Sequence, residues 1–305
     1  MQQPAQIITQ SELSVYANSW RISLEADNRP ATTRRIYLLA VHKLDAYLAD
    51  MGMPQSLSGL TSEHIRQWQR HELSRSAPGS VRVYHAALKV FFNWLLSEGE
   101  LRESPLGTVK APTLPETAVR VLTEDELIVL VRCCERDDSF AGRRDTALLR
   151  VFIDTGCRLA EVAGLRADSV DMKTGLVEVM GKGHRPRIVH LRPRALRSVD
   201  RYMRKRALHP HAGKPALWLG QQGGLHPNTI AQIVRRRGIQ AGLGNDLHPH
   251  LLRHAFAHWF LQAGGREGDL QALGGWRSVD VMRRYAAAAR ADRAIAAHGA
   301  MEERV

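Results

Sequence analysis

Three observations make the expected fold mainly α with a small antiparallel β-sheet, built as an N-terminal helical bundle and a larger second domain. Residues 9–100 repeat apolar side chains at helical spacing between capping residues. That period breaks where Pro105, Gly107, Pro112 and Pro115 arrive together, a composition that links rather than packs. Beyond the break, only residues 176–191 alternate as strands do. The expected domains are therefore 1–103, a helical bundle; 104–117, a linker; and 118–305, ending in a tail helix. A chain of 305 residues is long enough for two cores of ordinary size.

In the bundle, Thr9 with Glu12 forms a capping-box pattern before Leu13, Tyr16, Ala17 and Trp20. After Arg29-Pro30, Thr32 or Thr33 is expected to cap a second helix, with Ile36, Ala40, Leu44, Tyr47 and Leu48 facing inward until Gly52. Thr61 opens a third helix carrying Ile65, Trp68 and Leu73. Ser80 opens a fourth carrying Ala87, Val90, Phe91, Trp94 and Leu95, which stops at Gly99. Arg34, Arg35, Arg82 and Lys89 lie off the apolar stripes, where they can meet phosphate or simply solvent.

The second domain opens with another capping box, Thr123 with Glu126. An apolar helix over 144–154 follows, closed by Thr155-Gly156, and Arg158 then starts a helix with Leu159, Val162 and Leu165 inward. Glu161 lies one turn after Arg158, the offset that steadies a guanidinium. Leu176–Met180 and Arg187–Leu191 read as two strands around a tip holding Lys182 between glycines. A basic helix over 192–206 and a helix from Pro227 into Arg235-Arg236-Arg237 come next. The triple arginine is either a solvated face or a phosphate contact.

Charge narrows the partner. Lys and Arg number 43 against 31 Asp and Glu, a net +12, and such an excess suits a polyanion, nucleic acid before a membrane surface. No run reaches the roughly 18 apolar residues of a spanning helix, and the first residues lack the pattern of a signal peptide. A cytoplasmic location is expected. Cys133, Cys134 and Cys157 make neither a disulfide framework nor a metal pair. His250, His254 and His258 share a helix face but lack the glutamate of a zinc-enzyme motif. No metal and no cofactor is expected.

Arg158 in TGCRLAEVAGLR, Lys182 in GKG, His250 and Arg253 in HPHLLRH, Trp276 in LGGW and Tyr285 stand in one order along the chain. In that order and spacing the sequence resembles the tyrosine recombinase (phage integrase) family, over the whole of 118–305. The bundle resembles that family's core-type DNA-binding domain. The resemblance implies a site-specific recombinase that cuts and rejoins DNA through a 3′-phosphotyrosyl intermediate at Tyr285. It implies two arginines, Arg158 and Arg253, on the non-bridging oxygens, Lys182 as general acid, His250 in acid–base work and Glu161 behind the arginine or the histidine. Where most members carry a second histidine this chain has Trp276, whose N–H donates but cannot shuttle a proton.

The chemistry suits those residue types. Exchanging a DNA phosphodiester for a tyrosyl ester conserves bond energy, so neither ATP nor metal is required. A phenol of pKa about 10 needs a cationic setting to ionise, and charge building on phosphorus needs donors placed beforehand. The resemblance further implies double-stranded DNA with inverted half-sites, a tetramer on DNA from a monomer in solution, and accessory DNA-bending proteins in some settings. The two domains would clamp DNA from opposite sides. The tail would dock on a neighbouring protomer through Ala294, Ile295 and Met301. An integrase of a phage or mobile element is the expected role, with a Xer-like dimer-resolving recombinase as the alternative. Arg34, Arg35, Arg82, Lys89, Arg235 and Arg236 are the expected DNA contacts. A DNA-binding protein with a relic site, used architecturally, is the reading from another class, and a type IB topoisomerase shares the chemistry.

Overall fold

The computed structural model describes residues 11–114, 120–181, 185–276, 294–295 and 298–299. The chain divides into two compact units, Met1–Ala118 and Val119–Val305.

In the first unit, α1 (Glu12–Ala26), α2 (Ala31–Asp50), α3 (Ser62–Arg75) and α4 (Pro78–Ser97) surround Trp20, Leu44, Leu48, Ile65, Trp68, Leu88, Phe91 and Phe92. Trp20 stacks on Tyr37 with ring centroids 5.4 Å apart. Three starts differ from expectation. Ser11 caps α1 through the Ser14 N–H; Thr9 lies outside the described residues. α2 begins after Pro30 with no side-chain cap, and α4 begins at Pro78, two residues before Ser80. Proline supplies a preset φ and has no N–H to satisfy at a helix start, so it replaces a capping hydroxyl.

Three residues expected inside are exposed: Ile36 at 37%, Leu73 at 39% and Val90 at 36%. At 100° per residue Leu73 lies roughly 80° round the helix from Ile65, whereas position 72 lies within about 20° of it. Glu72 therefore occupies the inward position, held by Lys43 Nζ at 2.9 Å. Residues 104–114, expected as linker, lie against this core: Leu106 and Val109 are buried in it, and Arg82 donates to the Pro112 carbonyl at 3.3 Å.

In the second unit, α5 (Glu124–Glu135) starts with the expected Thr123–Glu126 box. α6 (Phe140–Thr155) begins one turn before Arg144, on a Ser139 cap, and runs through the core with Leu148, Leu149 and Phe152 fully buried. Gly156 ends it at φ 57, a left-handed conformation that glycine adopts without strain. A Cβ there would also strike the Phe256 ring. α7 (Leu159–Ala163) leads to the antiparallel hairpin β1 (Leu176–Gly181) and β2 (Arg185–His190), in register from Leu176↔His190 to Gly181↔Arg185. α8 (Pro193–Arg206), a two-residue ribbon β3 (Leu219–Gly220) with β4 (Gly223–Gly224), α9 (Pro227–Gln240), α10 (Pro249–Gln262) and α11 (Glu267–Gly274) complete the unit. Of the Ala-rich tail, 294–295 and 298–299 are helical and exposed. Among the described residues no helix is long and apolar enough to cross a membrane.

Candidate active site

The site forms where four backbone ends meet: the break after α6, the inner face of β2, the first turn of α10 and the last turn of α11. Arg158 is the N-cap residue of α7, and its own N–H donates to Glu161 Oε2 at 2.7 Å. Its Nη1 reaches Glu161 Oε1 at 3.0 Å, while Nη2 reaches the Gly275 carbonyl at 2.6 Å. The guanidinium is one-third exposed.

Arg253 lies one turn into α10 and is 3% exposed. Nη1 donates to the Gly156 carbonyl at 2.6 Å and Nη2 to the Gly274 carbonyl at 2.8 Å. The Trp276 ring covers it, with its centroid 3.7 Å from Cζ, a cation–π contact. Trp276, expected as an N–H donor that cannot shuttle a proton, lays its ring face on the second arginine. The bend at Gly274-Gly275 makes this approach possible. Gly275 has φ 63, and a Cβ on Gly274 would collide with the indole.

A third arginine, Arg187 on β2, completes the group. Nη1 and Nη2 grip Glu161 as a fork at 2.8 and 2.9 Å, and Nε donates to the Leu273 carbonyl at 2.8 Å. Sequence reasoning missed Arg187 as a site residue. The signal was strand parity: Val189 is buried, and residue 187 shares its face. An inward arginine demands an acid, and Glu161 supplies it.

Two guanidinia thus hold one carboxylate, and a third, Arg253, rests beside them on the Gly156 and Gly274 carbonyls, leaving a local charge of 3 − 1 = +2 among these groups. The α11 carbonyls, at the negative end of a helix, compensate it only in part. The electrostatics follow. Burial pushes Arg253 down to about 10, and Arg158 and Arg187 add to the shift. Burial opposes the Glu161 carboxylate, but hydrogen bonds from Arg187 and the Arg158 N–H outweigh it and hold its pKa below the usual value.

His250 lies on the exposed side of α10, and desolvation, then the charges of Arg253, His248 and Arg158, lower its pKa. His254 is pushed to about 4 by burial and the neighbouring histidines. Both shifts favour the neutral imidazole, the form of His250 that accepts a proton. Among the described residues, no group of three or more His, Cys, Asp or Glu is placed to hold a metal ion.

The structure therefore brings together Arg158, Glu161, His250, Arg253 and Trp276. Glu161 orients Arg158 and Arg187. Lys182 and Tyr285 lie outside the described residues. Of the six residues expected on DNA, Arg34 pairs with Glu25 at 3.2 Å, Arg236 with Asp145 at 3.4 Å, and Arg35, Arg82, Lys89 and Arg235 are exposed. Arg237, the last of the triple arginine, is buried on Asp145 and Asp137 and is structural.

Comparison with known proteins places this geometry in context. The phage integrase family matches residues 120–292. Tyrosine recombinase XerC of Xanthomonas axonopodis pv. citri (strain 306) is 31% identical over 245 residues, covering 80% of this chain and 79% of the relative. Tyrosine recombinase XerC of Pseudomonas aeruginosa (strain LESB58) is 32% identical over 260 residues, covering 81% and 84%. Among solved structures, XerH site-specific recombinase bound to its palindromic difH substrate aligns with a TM-score of 0.77 at 19% identity, over 93% of this chain and 84% of that one. A lambda integrase dimer bound to a COC′ core site aligns at 0.70 and 16%, over 89% and 76%.

Proposed function

The chain belongs to the phage integrase family of tyrosine recombinases, site-specific DNA strand transferases, and from that premise we propose how its residues divide the reaction. The Tyr285 phenolate attacks the scissile phosphorus, a 3′-phosphotyrosyl bond forms, and the 5′-oxygen leaves with a proton from Lys182. In the second half the 5′-hydroxyl of another strand attacks, and the phenol is released. Arg158 and Arg253 hold the non-bridging oxygens as charge builds on them. His250, neutral at rest, takes the phenol proton. Trp276 holds Arg253 flat and adds an indole donor at the phosphate. The observation that carries this reading is the net +2 charge of the Arg158, Arg187, Arg253 and Glu161 group, whose guanidinium donors converge on the carbonyls of Gly156, Gly274 and Gly275.

The test begins with genomic fragments trapped covalently on the protein and sequenced. Nicked suicide substrates carrying the recovered site should then give a covalent complex with the wild type and none with Tyr285→Phe. No adduct from the wild type would sink the catalytic reading in favour of a relic site. Relaxation of supercoils without site preference or strand exchange would instead indicate topoisomerase activity.

In the proposed division into 1–103, 104–117 and 118–305, the N-terminal part contributes Arg34, Arg35, Arg82 and Lys89 to DNA phosphates, while Arg235 and Arg236 contribute from α9. The enzyme acts in the cytoplasm on double-stranded DNA with inverted half-sites, free as a monomer and bound as a tetramer. A related fold forms a lambda integrase tetramer on a Holliday junction. Tail exchange within such a tetramer has a receiving surface in a groove of about 1210 Å³ in the second unit, lined by Phe256, Trp259, Phe260, Arg194, Arg197 and Arg201. Ile295 is 71% exposed and Ala294 is exposed; Met301 lies outside the described residues.

Integration of a mobile element or phage is the proposed role, with accessory DNA-bending proteins where two unlike sites are joined. Likeness to the XerC proteins favours dimer resolution as the second reading. Recombination between two identical copies of the recovered site on one plasmid indicates resolution; a requirement for two different sites indicates integration.

A further inference from the structure

We propose that Arg187 is a positioning residue for cleavage: it takes the bidentate face of Glu161 and so leaves the guanidinium of Arg158 available to the scissile phosphate. The proposal rests on the assignment of Arg158 to that phosphate. It starts from how Glu161 distributes four hydrogen bonds. Oε1 accepts from Arg158 Nη1 at 3.0 Å and Arg187 Nη1 at 2.8 Å; Oε2 accepts from the Arg158 N–H at 2.7 Å and Arg187 Nη2 at 2.9 Å. The fork geometry, the strongest arrangement a guanidinium makes with a carboxylate, belongs to Arg187. Arg158 touches the acid through one side-chain nitrogen, and its other terminal nitrogen is turned toward Gly275.

The Glu161 side chain is 3% exposed, so a single remaining cation would be drawn fully onto it. Without Arg187, Arg158 closes its own fork on Glu161 and withdraws from the phosphate. Arg187 also reaches Leu273 O at 2.8 Å and lies 3.6 Å from Cys157 Sγ. It thereby ties β2 to the end of α11, whose next two carbonyls hold Arg158 and Arg253. Its side chain is 15% exposed, half the exposure of Arg158. Its donors point to the acid, the sulfur and the helix end, so its action on phosphate passes through Arg158.

The test uses the full-length protein and a nicked suicide substrate under single turnover. Arg187→Met keeps an unbranched apolar stem and removes the charge and the fork. It should slow covalent-complex formation about 100-fold, the scale of a small misplacement of a reacting group, while DNA affinity changes less than about threefold. Arg187→Lys, which restores charge but not the planar fork, should lie between Arg187→Met and the wild type. Glu161→Gln removes the competitor for Arg158, so the double variant with Arg187→Met should be no slower than the worse single variant. Losses that multiply in the double variant, or a wild-type rate in Arg187→Met, overturn the proposal. Should Arg187→Met not fold, the same cycle with Arg187→Lys decides by the same criterion. A wild type that forms no adduct sinks the assignment of Arg158 itself; a wild type that forms one while Arg187→Met matches it sinks only the role of Arg187.

Discussion

The second unit holds two clusters of arginines around a buried acid, and they differ in one respect. On α6, Asp145 is fully buried and accepts from Arg144 Nε and Nη2 at 2.9 and 2.8 Å and from Arg237 Nε at 2.8 Å. Asp137 also accepts from Arg237 at 3.1 Å, so the two buried arginines, Arg144 and Arg237, face two acids and balance, while the exposed Arg236 adds a longer contact to Asp145 at 3.4 Å from the solvent side. At the other site two arginines hold Glu161 and Arg253 rests on backbone carbonyls, so three cations stand against one acid. A balanced cluster closes on itself and holds helices together. An unbalanced one keeps a demand for an anion, which under the proposed function a DNA phosphate would meet.

Removing the acid from the balanced cluster tests the comparison most severely. Asp145→Ala leaves two buried arginines without their main partner and should cost about 3–5 kcal/mol of stability, read by chemical denaturation. Equal stability to the wild type would show that the network is not holding α6 to α9. In the unbalanced cluster the loss should appear in rate. Arg253→Ala should lower cleavage about 10²–10³-fold, the scale of losing one transition-state donor. Its stability should change little, because a like-charge repulsion goes with the lost contacts; a collapse in stability comparable to Asp145→Ala would erase the distinction.

Gly274→Ala drives a methyl into the Trp276 ring and should cost about 1–3 kcal/mol, the range for overpacking, together with a loss of cleavage as Arg253 is uncovered. Cleavage at wild-type rate in this variant would show that the indole does not hold the arginine. The smallest effect is in pH. Because the His250 pKa is lowered, the acid limb of the cleavage profile should fall below the ordinary histidine value, and His250→Gln should remove that limb. The alkaline limb should include loss of Arg253 charge near pH 10. An acid limb at or above about 6.5, the ordinary histidine value, would contradict a neutral resting His250.

Local signals carried much of the architecture. Thr123 with Glu126, the left-handed Gly156, and the alternation over 176–191 were each readable because their cause lies within a few residues. The family was readable from six residues in order. Leu73 and Glu72 show where local reasoning fails: hydrophobicity favours burying leucine, but helical phase and the partner Lys43, 29 residues away, decided for glutamate. Arg187 was hidden for the same reason, since its meaning depends on Glu161, 26 residues earlier, and Leu273, 86 later.

By itself, then, the sequence determined the helical and strand segments and the family to which the chain belongs, because those are properties of short stretches and of residue type. Tertiary structure decided which arginines share which acid. Charge balance is a sum over neighbours, and the neighbours of Glu161 and Asp145 come from strands and helices far apart in the chain. Only folding brings those charges close enough, in a medium dry enough, for a missing acid to become a binding site.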